Sequence, residues 1–177
     1  FYATKIITTG QGGMVVSRNK ELLEKVRDLR AYDKKEEYEV RYNYCMTDLQ
    51  GRMGQIQLKK LPAFLGARQK RAQLYEEYLG ALEGVELPAR EGIYYRYVVK
   101  IRRGRLLKVL EQLNEQGIEA QRPVFTPLHR YLGLDGFKAT EKLFSEALSL
   151  PLYPRLTAEE TQYTALCLSR AMNTVNG

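Results

Sequence analysis

Lys5 stands in the run Phe1-Tyr2-Ala3-Thr4-Lys5-Ile6-Ile7-Thr8-Thr9-Gly10-Gln11-Gly12-Gly13, ahead of the apolar stretch Met14-Val15-Val16. A primary amine followed by hydroxyls and glycines is a set of groups suited to carbonyl chemistry. Glycines let the backbone turn sharply or approach a bulky group, where side chains would block it. An amine desolvated against such a loop loses its proton more readily, and the neutral amine is the form that attacks a carbonyl. The local pattern alone also fits a plainer role, a surface lysine before a hairpin.

This run resembles the Schiff-base lysine motif of the DegT/DnrJ/EryC1/StrS family of pyridoxal-phosphate-dependent sugar aminotransferases. That motif reads Ser-Phe-x-x-x-Lys-x-x-Thr-x-Gly-Glu-Gly-Gly before a hydrophobic strand. Phe1, Lys5, Thr8, Gly10, Gly12 and Gly13 fit it, and Gln11 stands where the family has an acid. Two later runs resemble the family as well: Tyr42-Asn43-Tyr44-Cys45-Met46-Thr47-Asp48-Leu49-Gln50, and Ser149-Leu150-Pro151-Leu152-Tyr153-Pro154 before a final helix.

The resemblance implies an α/β fold, the C-terminal part of an aspartate-aminotransferase-like (fold type I) enzyme that ends in a small α+β domain. It implies that Lys5 holds pyridoxal phosphate covalently and shuttles a proton once released. It places Asn43 at a homodimer interface, reaching the phosphate of the neighbouring subunit's cofactor. An amide N–H can donate to a phosphate oxygen without adding charge, although asparagine is also a common loop stabiliser. Cys45 replaces a basic residue that many relatives direct at the sugar nucleotide. His129, in Pro127-Leu128-His129, matches a loop that approaches the active site in relatives, and a loop-packing role fits it equally. Arg122 could grip the carboxylate of an amino donor through a forked pair of hydrogen bonds, or be an ordinary surface arginine.

The expected activity is transfer of an amino group from an amino acid to a nucleotide-linked keto-sugar, in polysaccharide or amino-sugar biosynthesis. Phe1 enters the first motif midway. The chain is therefore expected to be one part of a longer enzyme and inactive alone. Residues 1–61 would be a remnant of the large cofactor-binding domain, and 62–177 a linking helix and the small domain. The alternative is a non-catalytic regulatory or scaffolding domain that keeps the fold.

Composition suits a globular protein: of 177 residues, 44% are hydrophobic and 28% charged. Cys45 and Cys167 lie far apart without metal-ligand spacing and read as reduced thiols of a cytoplasmic protein. No apolar stretch approaches the roughly 20 residues that span a bilayer. The net charge of +7 raises the question of nucleic acid, because basic patches bind phosphates. Most basic residues alternate with acids, which argues against it. The two basic clusters, Arg68-Gln69-Lys70-Arg71 and Arg102-Arg103-Gly104-Arg105, read as solvated surface.

The elements that must position these groups follow from periodicity. Gly13–Ser17 reads as a short buried strand. Leu22, Leu23, Val26 and Leu29 predict a helix over 20–29, and Ala31–Arg41 reads as a loop. Thr47-Asp48-Leu49-Gln50 and Thr157-Ala158-Glu159-Glu160 are capping boxes that open helices. Pro62 is expected to start a separate helix running to about Leu82. Tyr94–Ile101 reads as a strand, Leu106–Leu113 as a helix ended by Gly117, and Ile118–Gln121 as a short strand. Pro123–Gly136 reads as irregular, 140–148 as helix, and the last helix as reaching about Met172.

Overall fold

The computed structural model describes residues 1–102 and 104–174, so Arg103 of the second basic cluster lies outside the described residues. The chain divides into two compact units, Phe1–Pro62 and Ala63–Gly177. The first holds helix α1 (Lys20–Leu29) and the start of helix α2 (Asp48–Leu79). The second holds the rest of α2 and strands β1 (Val85–Glu86), β2 (Tyr97–Ile101) and β3 (Ala147–Leu150). Its further helices are α3 (Leu106–Glu115), α4 (Leu128–Tyr131), α5 (Lys138–Glu146) and α6 (Ala158–Thr174).

Both capping boxes form as the sequence predicts. The Gln50 amide accepts the N–H of Thr47 as Thr47 Oγ1 accepts that of Gln50, at 3.0 and 3.3 Å. Thr157 and Glu160 make the same exchange at 2.8 and 3.1 Å. Each pair satisfies backbone donors that have no partner inside the helix. At the end of α3, Gly117 takes the left-handed conformation (φ +75°). It donates to the Asn114 carbonyl, and Ile118 donates to that of Leu113, at 3.0 Å each, which closes the helix with a Schellman turn.

Several expectations need correction. Met14-Val15-Val16 is not a buried strand: it forms no strand, and the three residues are 70, 56 and 82% exposed. A strand exists only by pairing, and no described residue pairs with this one. Pro62 does not open a helix; it lies inside the continuous α2. An interior proline forfeits one helical hydrogen bond, at a cost of about 3 kcal/mol. The cap at Thr47 and the burial of Ala72, Tyr75 and Leu79 farther along α2 offset that loss. Residues 147–150 extend no helix but form β3, buried along its whole length.

The sheet is antiparallel with order β1-β2-β3, and Tyr97 faces Leu150 while Val99 faces Leu148. Tyr97, Val99 and Ile101 alternate inward with the period of two that a half-buried strand requires. The expected strand at Ile118–Gln121 contracts to a single bridge, Gln121 to Ser149, on the free edge of β3. Tyr75 and Leu79 of α2 join Val109 and Leu113 of α3, Leu168 and Met172 of α6 and the sheet in one apolar core. Tyr75 also stacks on Tyr97, with ring centroids 4.8 Å apart, and donates its hydroxyl to the Pro151 carbonyl at 2.9 Å. The mixed α/β class expected from sequence is the class observed.

The basic run at residues 68–71 is solvated at Gln69 and Lys70 but not at its two arginines. Arg68 is 7% exposed, and its Nη1 lies 3.3, 3.1 and 2.8 Å from the carbonyls of Tyr94, Tyr95 and Leu152. Arg71 Nε donates to the Leu156 carbonyl. These guanidinium groups tie α2 to the segment entering β2 and to the proline-rich connector. Among the described residues no helix is long and apolar enough to cross a membrane.

Candidate functional site

In the first unit, Lys5 is exposed at the start of a tight loop, with its own N–H donating to the Tyr2 carbonyl at 3.0 Å. The Phe1 carbonyl closes that loop, accepting from the Thr9 N–H at 3.0 Å and from Thr8 Oγ1 at 3.1 Å. Thr8 Oγ1 in turn accepts from the Gly10 N–H at 2.9 Å. Thr9 is buried, and its hydroxyl donates to the Gln11 carbonyl. The loop rests on α2 at Gly54, where an added Cβ would come within 3.2 Å of Thr9 Cγ2. A glycine inside a helix costs about 1 kcal/mol relative to alanine. Gly54 was thus a legible sign of close approach, and the sequence reading passed over it.

The glycines of the loop are not equivalent. Gly12 sits at φ +134°, and a Cβ there would meet Thr9 Oγ1 at 3.1 Å and the Met46 thioether at 3.3 Å. A Cβ on Gly13 would meet nothing within 4 Å. Gly12→Ala should therefore cost about 1–3 kcal/mol of local order, and Gly13→Ala almost none. Hydrogen exchange at the Thr9 amide checks this: protection should fall in the first variant and persist in the second.

Asn43 is exposed and belongs to the same unit. An antiparallel bridge to Ala31 fixes its backbone. Its neighbours Tyr42 and Tyr44 donate to the carbonyls of Leu29 and Arg30, both at 2.8 Å. The two tyrosine rings stack, 4.9 Å apart and 3° from parallel. Arg41 pins the preceding loop by donating to Asp28 at 3.0 Å, and Lys35 approaches the same carboxylate at 2.7 Å. Hydrogen bonds from Lys35 and Arg41 hold the Asp28 carboxyl below its ordinary range. The asparagine amide is thus presented from a fastened backbone. Cys45 Sγ lies 3.7 Å from the Arg30 carbonyl.

His129 and Arg122 belong to the second unit. His129 lies on α4, 9% exposed, with Nε2 2.7 Å from Glu141 Oε1 and its ring stacked on Phe137 at 4.8 Å. Arg130 also donates to Glu141, through Nε at 2.7 Å and through Nη2. Arg122 is half-buried, its guanidinium carbon 4.3 Å from the centre of the Phe144 ring. The segment expected to be irregular is therefore organised around one carboxylate that the sequence reading did not single out.

Donation from Arg130, then from His129, lowers the Glu141 carboxyl to about 2 from an ordinary 4.5. A carboxyl depressed on folding contributes stability above its unfolded value and loses it as pH falls toward the folded one. The stabilisation from Glu141 should be complete above about pH 4.5 and vanish toward pH 2. A Glu141→Gln variant should lack this dependence, so its stability difference from the native protein should shrink over that window in acid titrations followed by circular dichroism.

An exposed lysine amine beside a glycine- and hydroxyl-lined loop, with an exposed amide donor in the same unit, is a donor set that fits pyridoxal phosphate. The amine can bond an aldehyde and the amide can donate to a phosphate. The cradle at Gly12 admits no side chain without displacing Thr9 or Met46. These features fit the class of pyridoxal-phosphate aminotransferases.

Residues 1–169 match the DegT/DnrJ/EryC1/StrS aminotransferase family, and the chain belongs to that family, whose members use pyridoxal phosphate. It is 34% identical to the uncharacterized protein MJ1066 of Methanocaldococcus jannaschii, over 90% of this chain and 49% of that protein. It is 31% identical to the GDP-perosamine synthase of Caulobacter vibrioides, over 97% of this chain and 51% of the synthase. Its fold matches Helicobacter pylori PseC, an aminotransferase involved in the biosynthesis of pseudoaminic acid. That match has a TM-score of 0.89 at 24% identity and covers 98% of this chain and 52% of PseC. The chain spans about half the length of the curated relatives it matches.

Proposed function

We propose that this chain supplies the cofactor lysine and part of the substrate site of a pyridoxal-phosphate aminotransferase acting on a nucleotide-linked keto-sugar. The observation that carries the proposal is Lys5 on its glycine- and hydroxyl-lined loop, with Asn43 presented from the same unit. When bound, pyridoxal phosphate serves as an electron sink for the substrate carbon. Lys5 holds it and moves a proton as a free amine, Thr8 and Thr9 hold the loop, and Asn43 donates to phosphate. His129 and Arg122 stand as substrate-side groups of the second unit. The amino donor is glutamate or glutamine, and the assembly is a homodimer in which Asn43 serves the partner's site.

Mixing subunits tests the core of this reading. An Asn43→Ala subunit and a Lys5→Ala subunit, each inactive in the protein that carries this chain, should regain activity when they exchange. In a mixed dimer both lesions fall in one site and leave the other intact at these two positions. Amino transfer from glutamate is read as 2-oxoglutarate released. Confirmed heterodimers without recovery would place Asn43 in its own subunit's site or outside the chemistry. A native protein that neither loads the cofactor nor releases 2-oxoglutarate would favour the second reading, a non-catalytic domain that keeps the family fold.

A further inference from the structure

We propose that Arg96 and Arg122, together with Arg130, form a binding site for a diphosphate group on the second unit. The starting observation is an imbalance of charge. Arg96 Nη1 donates to the Pro123 carbonyl at 3.0 Å, which holds it beside Arg122 in the chain. Arg122 and Arg130 both lie against the Phe144 ring, at 4.3 and 4.6 Å from its centre. Arg130 is neutralised by Glu141, but among the described residues neither Arg96 nor Arg122 has an acidic partner. Two guanidinium groups without an acidic partner are thus held near residues 122–123.

A second observation marks Arg122 in particular. Its Nε is buried and has no hydrogen-bond partner. Buried donors are almost always paired, so each exception calls for an explanation. Contact with the Phe144 ring orders the guanidinium, so that binding an oxyanion through its terminal nitrogens would cost little further side-chain entropy. Arg130, held by Glu141, braces the other contact with the same ring.

Charge selects the ligand. Two uncompensated guanidinium groups suit a group carrying two or more negative charges, and forked N–H donors match phosphate oxygens in pairs. The α-carboxylate of an amino acid, the ligand that the sequence alone offers Arg122, brings an ammonium group into the same cationic surroundings. A diphosphate brings none. This inference rests on the reading of a nucleotide-linked substrate, whose diphosphate would be the group bound.

The experiment uses inorganic pyrophosphate and the purified chain, with no cofactor and no turnover. Calorimetry should detect pyrophosphate binding that weakens by about tenfold or more in Arg122→Gln and in Arg96→Gln, the loss expected for one charge-assisted pair. Lys108→Gln, an exposed lysine of α3, should bind as the native protein does. Arg122→Lys should fall between native and Gln, because it keeps the charge and loses the fork. Glutamate at the same concentration should not displace pyrophosphate. Equal weakening in Lys108→Gln would reduce the effect to general basicity and overturn the site, as would native-like binding in both arginine variants. Competition by glutamate would reassign Arg122 to a carboxylate. Because the readout is binding alone, an inactive enzyme would leave this result standing, and an active enzyme without pyrophosphate binding would sink only this site.

Discussion

Lys5→Ala is expected to abolish covalent loading of pyridoxal phosphate and to lower amino transfer by at least the roughly 10²–10⁴-fold that a positioned proton-transfer group contributes. The loss should be larger than for any other single change, because in the proposed role one amine both holds the cofactor and moves the proton. The loop around it should persist. Its closing hydrogen bonds run from the Thr9 amide and the Thr8 hydroxyl to the Phe1 carbonyl, and none of them uses the lysine amine. Borohydride reduction followed by peptide mass analysis should therefore find the cofactor on the native peptide containing Lys5 and nowhere on the variant. The Thr9 amide should stay protected from exchange in both. Retained turnover, or reduction onto another lysine, would assign the chemistry elsewhere.

Residues differ in how far sequence alone exposes their role, and the difference follows the range of the interaction involved. The capping boxes at Thr47 and Thr157 and the left-handed Gly117 were legible because their hydrogen bonds join residues a few positions apart. Helix α1 was legible from the spacing of Leu22, Val26 and Leu29. By contrast, Ala147-Leu148-Ser149-Leu150 is compatible with either helix or strand. What decides it is pairing with Tyr97–Lys100, far away in the chain. Met14-Val15-Val16 has the composition of a strand and no described neighbour to pair with, so composition misled. Lys5 and Asn43 drew attention through motif resemblance. The loop contacts at Gly54, and Glu141 between His129 and Arg130, were identified only in the folded chain. A helical glycine offered a clue to the first; a glutamate in an amphipathic helix offered none to the second.

Arg68 was the most misleading residue of all, and replacing it should have the largest effect on stability. In sequence it belongs to a charged run; in the fold it lies between α2, the segment entering β2 and the connector at Leu152. Burial lowers its affinity for the proton, yet an arginine remains charged under all ordinary conditions. Arg68→Ala strands the buried Leu152 carbonyl, at about 1–3 kcal/mol, and removes the packed alkyl stem as well. A total near 3 kcal/mol is expected, enough to lower the melting temperature by roughly 10 °C. Arg68→Met separates the two contributions. It keeps the stem and also removes an Nε–H that is buried without an acceptor, so it should cost less than alanine. Arg68→Lys should rank milder still if its ammonium reaches the Leu152 carbonyl. Thermal and urea unfolding of the series, followed through the core tyrosines Tyr75 and Tyr97, measures this order. An alanine variant within about 0.5 kcal/mol of the native protein, the range of ordinary surface substitutions, would show that water satisfies those carbonyls and that the guanidinium is no structural tie.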